Sequence, residues 1–193
     1  MLLGAVGPWP VFLVVLLVLF AVAILELARL ASWRPLHILG GALYLGLGLA
    51  ALGALWANAH PWLLAVIIAT WAADTVAYLV GSQIGRHRLA PRISPGKTWE
   101  GSIAGFAAAA GVIAAIGMAG PVGIIVAVGI GPVGLAGDLF ESWLKRRAGA
   151  KDSGSLLPGH GGVLDRVDSL LFAGPFVWAV LAVFGGADGM MGR

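Results

Sequence analysis

Acidic side chains end one apolar segment and begin the next, and their spacing suits the binding of a metal ion. Four polar residues recur at i, i+3, i+4 and i+7 on one helix face: Asp138, Glu141, Ser142 and Lys145. Asp165 and Asp168 share a face at the start of the following segment. Carboxylates suit Mg²⁺, which usually takes one or two of them plus substrate phosphates. A single acid here would more simply form an interfacial ion pair, but two acidic helix ends beside a basic loop indicate a Mg²⁺ site.

The loop between these two segments carries groups that suit phosphate. Its cations offer charge-assisted hydrogen bonds, and they are Lys145, Arg146, Lys151 and Arg166. Its glycines, Gly159, Gly161 and Gly162, predict backbone N–H groups turned inward as an anion-binding nest. His160 has three interpretations, as a metal ligand, a proton carrier or a turn residue. Metal binding is the least favoured of these, because no second histidine lies nearby in the sequence.

A second polar block lies at residues 74–101. Asp74 stands inside an apolar segment, where an acid is costly and usually faces the interior of a helix bundle. The Gly96-Lys97-Thr98 run invites a nucleotide-binding P-loop interpretation, but the glycine required five residues earlier is Pro91. A P-loop is therefore excluded. Lys97 remains a predicted phosphate contact, because it precedes a helix start, where anions are favoured.

The composition indicates a membrane protein. Hydrophobic residues make up 60% of the 193 residues and charged residues 11%, whereas charged residues average about 25% in soluble domains. There is no cysteine, which excludes disulfides and a thiol nucleophile. Apolar stretches long enough to cross a bilayer occur near residues 9–28, 36–57, 61–82, 100–119, 121–143 and 169–187. We therefore predict an all-α fold, a polytopic integral membrane bundle of about six transmembrane helices that forms a single domain over residues 1–193.

The basic residues predict the orientation of this bundle. Eleven of the 12 Lys and Arg residues lie in alternate connections, whereas the connections at 58–61 and 117–121 carry none. By the positive-inside rule the basic loops are cytoplasmic, both termini face outward, and the active site lies at the cytoplasmic face. A bacterial inner membrane is the expected location. The first span is not expected to be a cleaved signal peptide, because no Lys or Arg precedes it.

Both polar blocks resemble those of a known family. Residues 142–168 read S-x-x-K-R-x4-K-D-x-G-x2-L-P-G-H-G-G-x-x-D-R-x-D, which is similar to the signature of the phosphatidate cytidylyltransferases, or CDP-diacylglycerol synthases. Residues 74–78 and 94–101 are similar to the family's D-T-x-A-Y and S-P-x-K-T-x-E-G segments. The matches cover about half of the chain. The resemblance implies a nucleotidyltransferase that transfers CMP from CTP to phosphatidate, giving CDP-diacylglycerol and pyrophosphate for phospholipid biosynthesis.

The resemblance also implies the site residues. By position, the metal-binding acids correspond to Asp138 and Asp165, with Mg²⁺ as the cofactor and a second cation left open. The implied catalytic residues are Asp138, Lys145, Lys151, Asp165, Arg166 and Asp168. The implied substrate-binding residues are Asp74, Ser94, Lys97, Ser142, Arg146, Asp152, His160, Gly161 and Gly162. The implied partners are CTP, phosphatidate and membrane lipids but not nucleic acid, and a homodimer is left open. Family members commonly carry additional N-terminal spans, whereas 73 residues precede Asp74 here.

Two other functions remain as alternatives. A related lipid nucleotidyltransferase would share the metal site and use a polyprenyl or ether-lipid phosphate as its acceptor. A cation or proton transporter would use Asp74, Asp138 and Asp165 along its pathway. Transport predicts acids near the middle of the bilayer and has little need for a basic, glycine-rich loop. Most acids here stand beside such a loop, which favours nucleotide chemistry.

Overall fold

The structure, a computed structural model, describes residues 9–30, 35–118, 120–150, 152–154 and 162–185. Over these residues the chain forms helices joined by short connections and one β-hairpin. The elements in chain order are α1 (Trp9–Leu30), α2 (Pro35–Asn58), α3 (His60–Ile84), β1 (Arg88–Ala90), β2 (Ser94–Thr98), α4 (Trp99–Ala115), α5 (Gly120–Arg147), a 3₁₀ turn (Leu164–Arg166) and α6 (Asp168–Phe184). The predicted all-α bundle is confirmed, and each predicted span corresponds to one of the six helices.

Helix length and composition make this an integral membrane protein. Four stretches are long and apolar enough to cross a membrane: α1, residues Leu39–Asn58 of α2, α3 and α5. Helices α4 and α6 are apolar but have 17 residues each, at the lower end of the roughly 17–25 that span the hydrocarbon layer. Large apolar side chains such as Leu47, Val128 and Val183 are about 70% exposed in the bundle. Lipid is the medium in which such surfaces are stable.

Helix α6 is central to the packing. It contacts α2, α3 and α5, while α4 packs between α3 and α5. The core between them is formed by fully buried aliphatic side chains, including Leu52, Leu63, Ile67, Ile130 and Leu170. Because lipid tails are as apolar as these side chains, close packing between helices stabilises the bundle more than exclusion from lipid does.

The β-hairpin between α3 and α4 is absent from the sequence prediction. Arg88 pairs with Thr98 and Ala90 with Ser94 in antiparallel register, around a turn that includes Pro91. Thr98 then caps α4, because its hydroxyl accepts a hydrogen bond from the Gly101 N–H at 3.2 Å. The hairpin thus holds the motif at residues 94–101 against the end of the bundle.

Glycines permit the closest helix contact, between α3 and α4. A Cβ added at Gly101 would lie 2.4 Å from the carbonyl oxygen of Ala77, and one at Gly105 would lie 2.7 Å from that of Ala73. Both obstacles are backbone atoms of α3, which cannot rotate away. The two helices therefore approach this closely only with glycine at these positions.

We expect Gly101→Ala to destabilise the protein by about 1–3 kcal/mol, because the added methyl forces α3 and α4 apart. The measurement is the thermal unfolding midpoint in detergent, which should fall by several degrees. Gly111→Ala is the matched control on the same helix, since a Cβ there meets no atom within 4 Å. The control should be neutral or slightly stabilising, because alanine has the higher helix propensity. Equal midpoints for the two variants would contradict the packing described for α3 and α4.

Candidate functional site

A cavity of about 630 Å³ opens between α3, α4, α5 and α6, beside the hairpin and the 3₁₀ turn. Four carboxylates line it, those of Asp74, Asp138, Asp165 and Asp168. Three cations line it as well, Arg88, Lys97 and Arg166. Small or apolar residues form much of the remaining wall, including Ala73, Gly105, Phe106, Ile130 and Leu135. The cavity therefore brings the two polar blocks of the sequence together in one place that combines both signs of charge with an apolar surface.

Asp138 projects from α5 and is held from two directions. Its Oδ2 forms an ion pair with Lys97 Nζ at 2.5 Å, and its Oδ1 accepts a hydrogen bond from Ser142 Oγ at 3.3 Å. Both partners of the ion pair are only about one-fifth exposed, so water screens their attraction weakly. The pair connects the hairpin to α5 across the mouth of the cavity.

Asp165, in the 3₁₀ turn, accepts hydrogen bonds at both carboxylate oxygens. Its Oδ1 pairs with Lys145 Nζ. Its Oδ2 accepts bonds from Ser153 Oγ at 2.9 Å, Ser153 N at 3.1 Å and Gly162 N at 2.8 Å. Burial alone would raise the pKa of Asp165, but the hydrogen bonds from Lys145, Gly162 and Ser153 outweigh it and lower that pKa to about 2. Asp165 is therefore ionised throughout the physiological pH range.

Asp74 and Asp168 complete the acidic wall. Asp74 comes from the interior of α3 and Asp168 is the first residue of α6. Each interacts electrostatically with Asp138, and Asp168 also interacts with Asp74. Carboxylates collected in a partly desolvated cavity repel one another, and a bound cation offsets that repulsion. Lys97 supplies one such charge beside Asp138.

The carboxylates of the cavity suit a Mg²⁺ ion that is also bound by nucleotide phosphates better than a metal ion held by protein ligands alone. Among the described residues, no cluster of three or more His, Cys, Asp or Glu side chains has the geometry of a metal site. Mg²⁺ commonly takes one or two carboxylates and completes its shell with water and substrate phosphates. Asp138 and Asp168 fit this role better than Asp165 does, because the oxygens of Asp165 already receive four hydrogen bonds.

Some of the predicted site residues line the cavity directly. They are Asp74, Ser94, Lys97, Asp138, Asp165, Arg166 and Asp168. Lys145 and Ser142 do not line it, and they act on it through their bonds to Asp165 and Asp138. Lys151, His160 and Gly161 lie outside the described residues.

Three predicted substrate contacts have other surroundings. Arg146 points away from the cavity to the hairpin turn, where its Nε donates to the carbonyl oxygen of Ile93 at 3.2 Å. Asp152 is exposed and is not among the cavity-lining residues. The N–H of Gly162 was predicted to bind an anionic ligand, but it donates to the carboxylate of Asp165 instead. The loop thus provides its own anion for this N–H.

Two residues near the site are missing from the sequence prediction. Arg88, predicted only as a topological charge, lines the cavity from β1. Glu26 lies in α1 and is buried against the segment that carries Asp165. The signal for Glu26 was available, because a lone acid in an apolar span is the same feature that marked Asp74.

Comparison with known proteins gives one family match and several relatives. The model of the cytidylyltransferase family matches residues 3–184. Proteins named phosphatidate cytidylyltransferase are similar to the chain. One from Brucella abortus biovar 1 (strain 9-941) is 46% identical over 125 residues, covering 61% of this chain and 46% of the relative. One from Haemophilus influenzae is 48% identical over 125 residues, covering 59% and 43%. One from Bacillus subtilis is 41% identical over 123 residues, covering 61% and 46%.

These matches agree with the family resemblance of the two polar blocks. The chain aligns with less than half the length of these curated relatives. The family model, by contrast, extends over all of the described helices. The protein therefore belongs to the cytidylyltransferase family.

Proposed function

We propose that the protein transfers CMP from CTP to phosphatidate, forming CDP-diacylglycerol and releasing pyrophosphate. The observation that carries this proposal is the cavity where four carboxylates and three cations meet an apolar wall between membrane helices. Such a lining suits a nucleotide with its divalent cation on one side and a lipid phosphate on the other. The names of the relatives support the same substrates.

The reaction joins two polyanions, so neutralising and aligning them is the main task of the protein. An oxygen of the phosphatidate phosphate attacks the α-phosphorus of CTP and forms a new P–O bond. The bond from that phosphorus to the bridging oxygen of the β-phosphate breaks, and pyrophosphate leaves with the electron pair. A phosphate monoester is largely ionised at neutral pH, with a second pKa of about 6, so the attack needs no general base. Arg88, Lys97 and Arg166 offer the positive charge that the phosphates need.

Mg²⁺ is the cofactor we propose, and Asp138 and Asp168 would hold it. When bound, it supplies Lewis-acid neutralisation of the nucleotide phosphates. Asp138 and Asp168 belong to different helices, so a shared cation would also fix the distance between α5 and α6. Lys97 would remain close enough to contact a phosphate, because it pairs with Asp138 at the same edge of the cavity.

We further propose that the cavity opens toward the cytoplasm, in a bacterial inner membrane. Residues 86–97 and 145–166, two stretches that both contribute residues to the cavity lining, carry nine of the 12 Lys and Arg residues. Basic loops of a membrane protein are retained on the cytoplasmic side. CTP would then enter from the cytosol, while phosphatidate reaches the apolar wall from the membrane.

Two other functions compete with this proposal: nucleotidyl transfer to a different lipid phosphate, and ion transport. Another lipid phosphate, such as a polyprenyl phosphate, would need the same charged lining and would differ only along the apolar wall. A transporter would need acids along a path through the bundle, whereas Asp138, Asp165 and Asp168 all lie at the end bordered by the basic loops. This arrangement favours nucleotide chemistry over transport.

The direct test is an assay of the purified protein in mixed micelles with CTP, Mg²⁺ and phosphatidate. Mass spectrometry should detect CDP-diacylglycerol only when all three are present. Polyprenyl phosphate and an ether-linked phosphatidate serve as alternative acceptors, and an ion-flux assay in liposomes tests transport. Product from polyprenyl phosphate alone, or ion flux without nucleotide turnover, would overturn the proposed reaction.

Asp138→Asn and Asp168→Asn should each lower kcat by at least about 100-fold, because each removes negative charge that a metal ion needs. Asp165→Asn should also reduce activity, and we expect it to lower the thermal midpoint more than the other two. It removes the charge that pairs with Lys145 and replaces one accepting oxygen of a carboxylate that receives four hydrogen bonds. The measurements are kinetics over a range of Mg²⁺ concentrations and thermal unfolding. Near-normal kcat for Asp138→Asn at saturating Mg²⁺ would rule out its role as a metal ligand.

Lys97→Ala should lower kcat/KM for CTP by at least about tenfold, because it removes a fixed cation from a site that handles phosphates. Arg92→Ala is the matched control, since Arg92 has the same charge, is exposed and lies in the turn of the same hairpin, outside the cavity lining. The control should keep near-normal kinetics. A similar loss in both variants would indicate a general effect of hairpin charge instead of a phosphate contact at Lys97.

A cysteine placed at Ala150 should react with an impermeant thiol reagent only from the cytoplasmic side, and one at Asn58 only from the outside. The physical reason is the retention of basic loops in the cytoplasm. The chain has no native cysteine, so every signal comes from the introduced residue. Labelling in intact cells and in inverted vesicles distinguishes the two sides. The reverse pattern would contradict a site fed by cytosolic CTP.

A further inference from the structure

Glu26 is a buried acid of α1 that accepts hydrogen bonds from the segment around Asp165. It is only 3% exposed, near the end of a membrane helix whose one other charged residue is Arg29. Its Oε1 accepts from Val163 N at 3.0 Å, and its Oε2 accepts from Leu164 N at 2.9 Å. Oε2 also lies 3.2 Å from Ser153 Oγ. A buried carboxylate is stable in such a position only when donors satisfy its oxygens.

Two of these donors begin the 3₁₀ turn Leu164–Arg166. The first N–H groups of a helical turn have no partner within the turn and must find one elsewhere. In this protein Glu26 supplies that partner for Val163 and Leu164, although it lies more than 130 positions earlier in the chain. The direction of the turn is therefore set by a side chain of α1.

The same contacts reach the cavity through Ser153. Its hydroxyl lies within hydrogen-bond distance of Glu26 and, at 2.9 Å, of Asp165. Asp165 and Arg166 both line the cavity, and both belong to this 3₁₀ turn. Glu26 accepts hydrogen bonds from the N–H groups at the start of the same turn. Glu26 itself is not among the residues that line the cavity.

Close glycine contacts indicate how tightly this carboxylate is enclosed. A Cβ added at Gly154 would lie 2.6 Å from Glu26 Oε1, and one at Gly162 would lie 2.6 Å from Glu26 Oε2. The glycines at both positions of the polar motif therefore leave room for the carboxylate of α1. Shape and hydrogen bonding agree that residues 153–154 and 162–164 are fitted around Glu26.

We propose that Glu26 is a positioning residue, which anchors residues 153 and 162–164 and thereby holds Asp165 and Arg166 at the catalytic cavity. The proposal rests on the function proposed above. It assigns α1, which contributes no residue to the cavity lining, a specific role in orienting the site. Small displacements of catalytic groups lower rates strongly, by about 100-fold for 1 Å.

Glu26→Gln is the principal test, because it keeps the size of the side chain and replaces one accepting oxygen with a donating NH₂ group. We expect kcat for CMP transfer to fall at least tenfold, KM for CTP to change less than threefold, and the thermal midpoint to remain close to that of the unaltered protein. Hydrogen exchange of the peptide covering residues 162–168 should accelerate at least tenfold, while exchange in α3 and α4 should not change. Glu26→Asp keeps the charge, so it should recover part of the lost kcat and part of the lost protection from hydrogen exchange. If the Gln variant does not fold, the Asp variant takes its place in the test.

A double-mutant cycle separates positioning from general stability. Glu26→Gln and Ser153→Ala should affect kcat non-additively, because both act on the same segment. Glu26→Gln and Ser94→Ala should act additively, since Ser94 lines the cavity from the hairpin. Additive effects for the Glu26–Ser153 pair, or unchanged exchange at residues 162–168, would overturn the proposal. An unaltered protein that makes no CDP-diacylglycerol would refute the proposed function instead, and the exchange measurement would still test the anchoring by Glu26.

Discussion

The need to compensate buried carboxylates determines how this end of the bundle is assembled. Lys97 of the hairpin pairs with Asp138 of α5, and Lys145 of α5 pairs with Asp165 in the turn before α6. Each pair joins two different elements of the structure. Removing one member would leave an uncompensated charge in a poorly solvated place, which typically costs about 3–5 kcal/mol. The contacts that stabilise the acids are therefore the same contacts that bring the elements around the cavity together.

Much of the fold could be predicted from hydropathy, because each helix is a predominantly apolar stretch and most charged residues lie near alternate connections. The hairpin could not. Residues 88–98 contain two prolines and few apolar residues, so they give no strand pattern, and their pairing depends on contacts with α3. Gly81 of α3 and Gly85, which follows that helix, approach the side chain of Thr98 so closely that an added Cβ would lie within 3 Å of it. Such tertiary contacts leave no periodic signal in the sequence.

The site was predictable where residue type alone decides its chemistry. Asp138, Asp165 and Asp168 line one cavity, as the two acidic helix ends suggested, and Asp74 lines the same cavity from inside α3. The cations were harder to assign, because Arg146 and Lys145 are neighbours in sequence yet point to the hairpin turn and to Asp165, respectively. Helix geometry separates adjacent side chains by about 100°. The role of Glu26 was not predicted, since its partners lie far along the chain and are mostly backbone groups.

The central claim is that this cavity transfers the nucleotidyl group of CTP to a lipid phosphate. The most direct measurement follows the fate of label from CTP carrying ³²P at either the α- or the γ-phosphate, with phosphatidate and Mg²⁺ present. The account predicts that α-label appears in the lipid product, that γ-label appears only in pyrophosphate, and that the two form in equal amounts. Transfer of γ-label to the lipid would identify a kinase, and release of label without a labelled lipid would identify a hydrolase; either result would contradict the account.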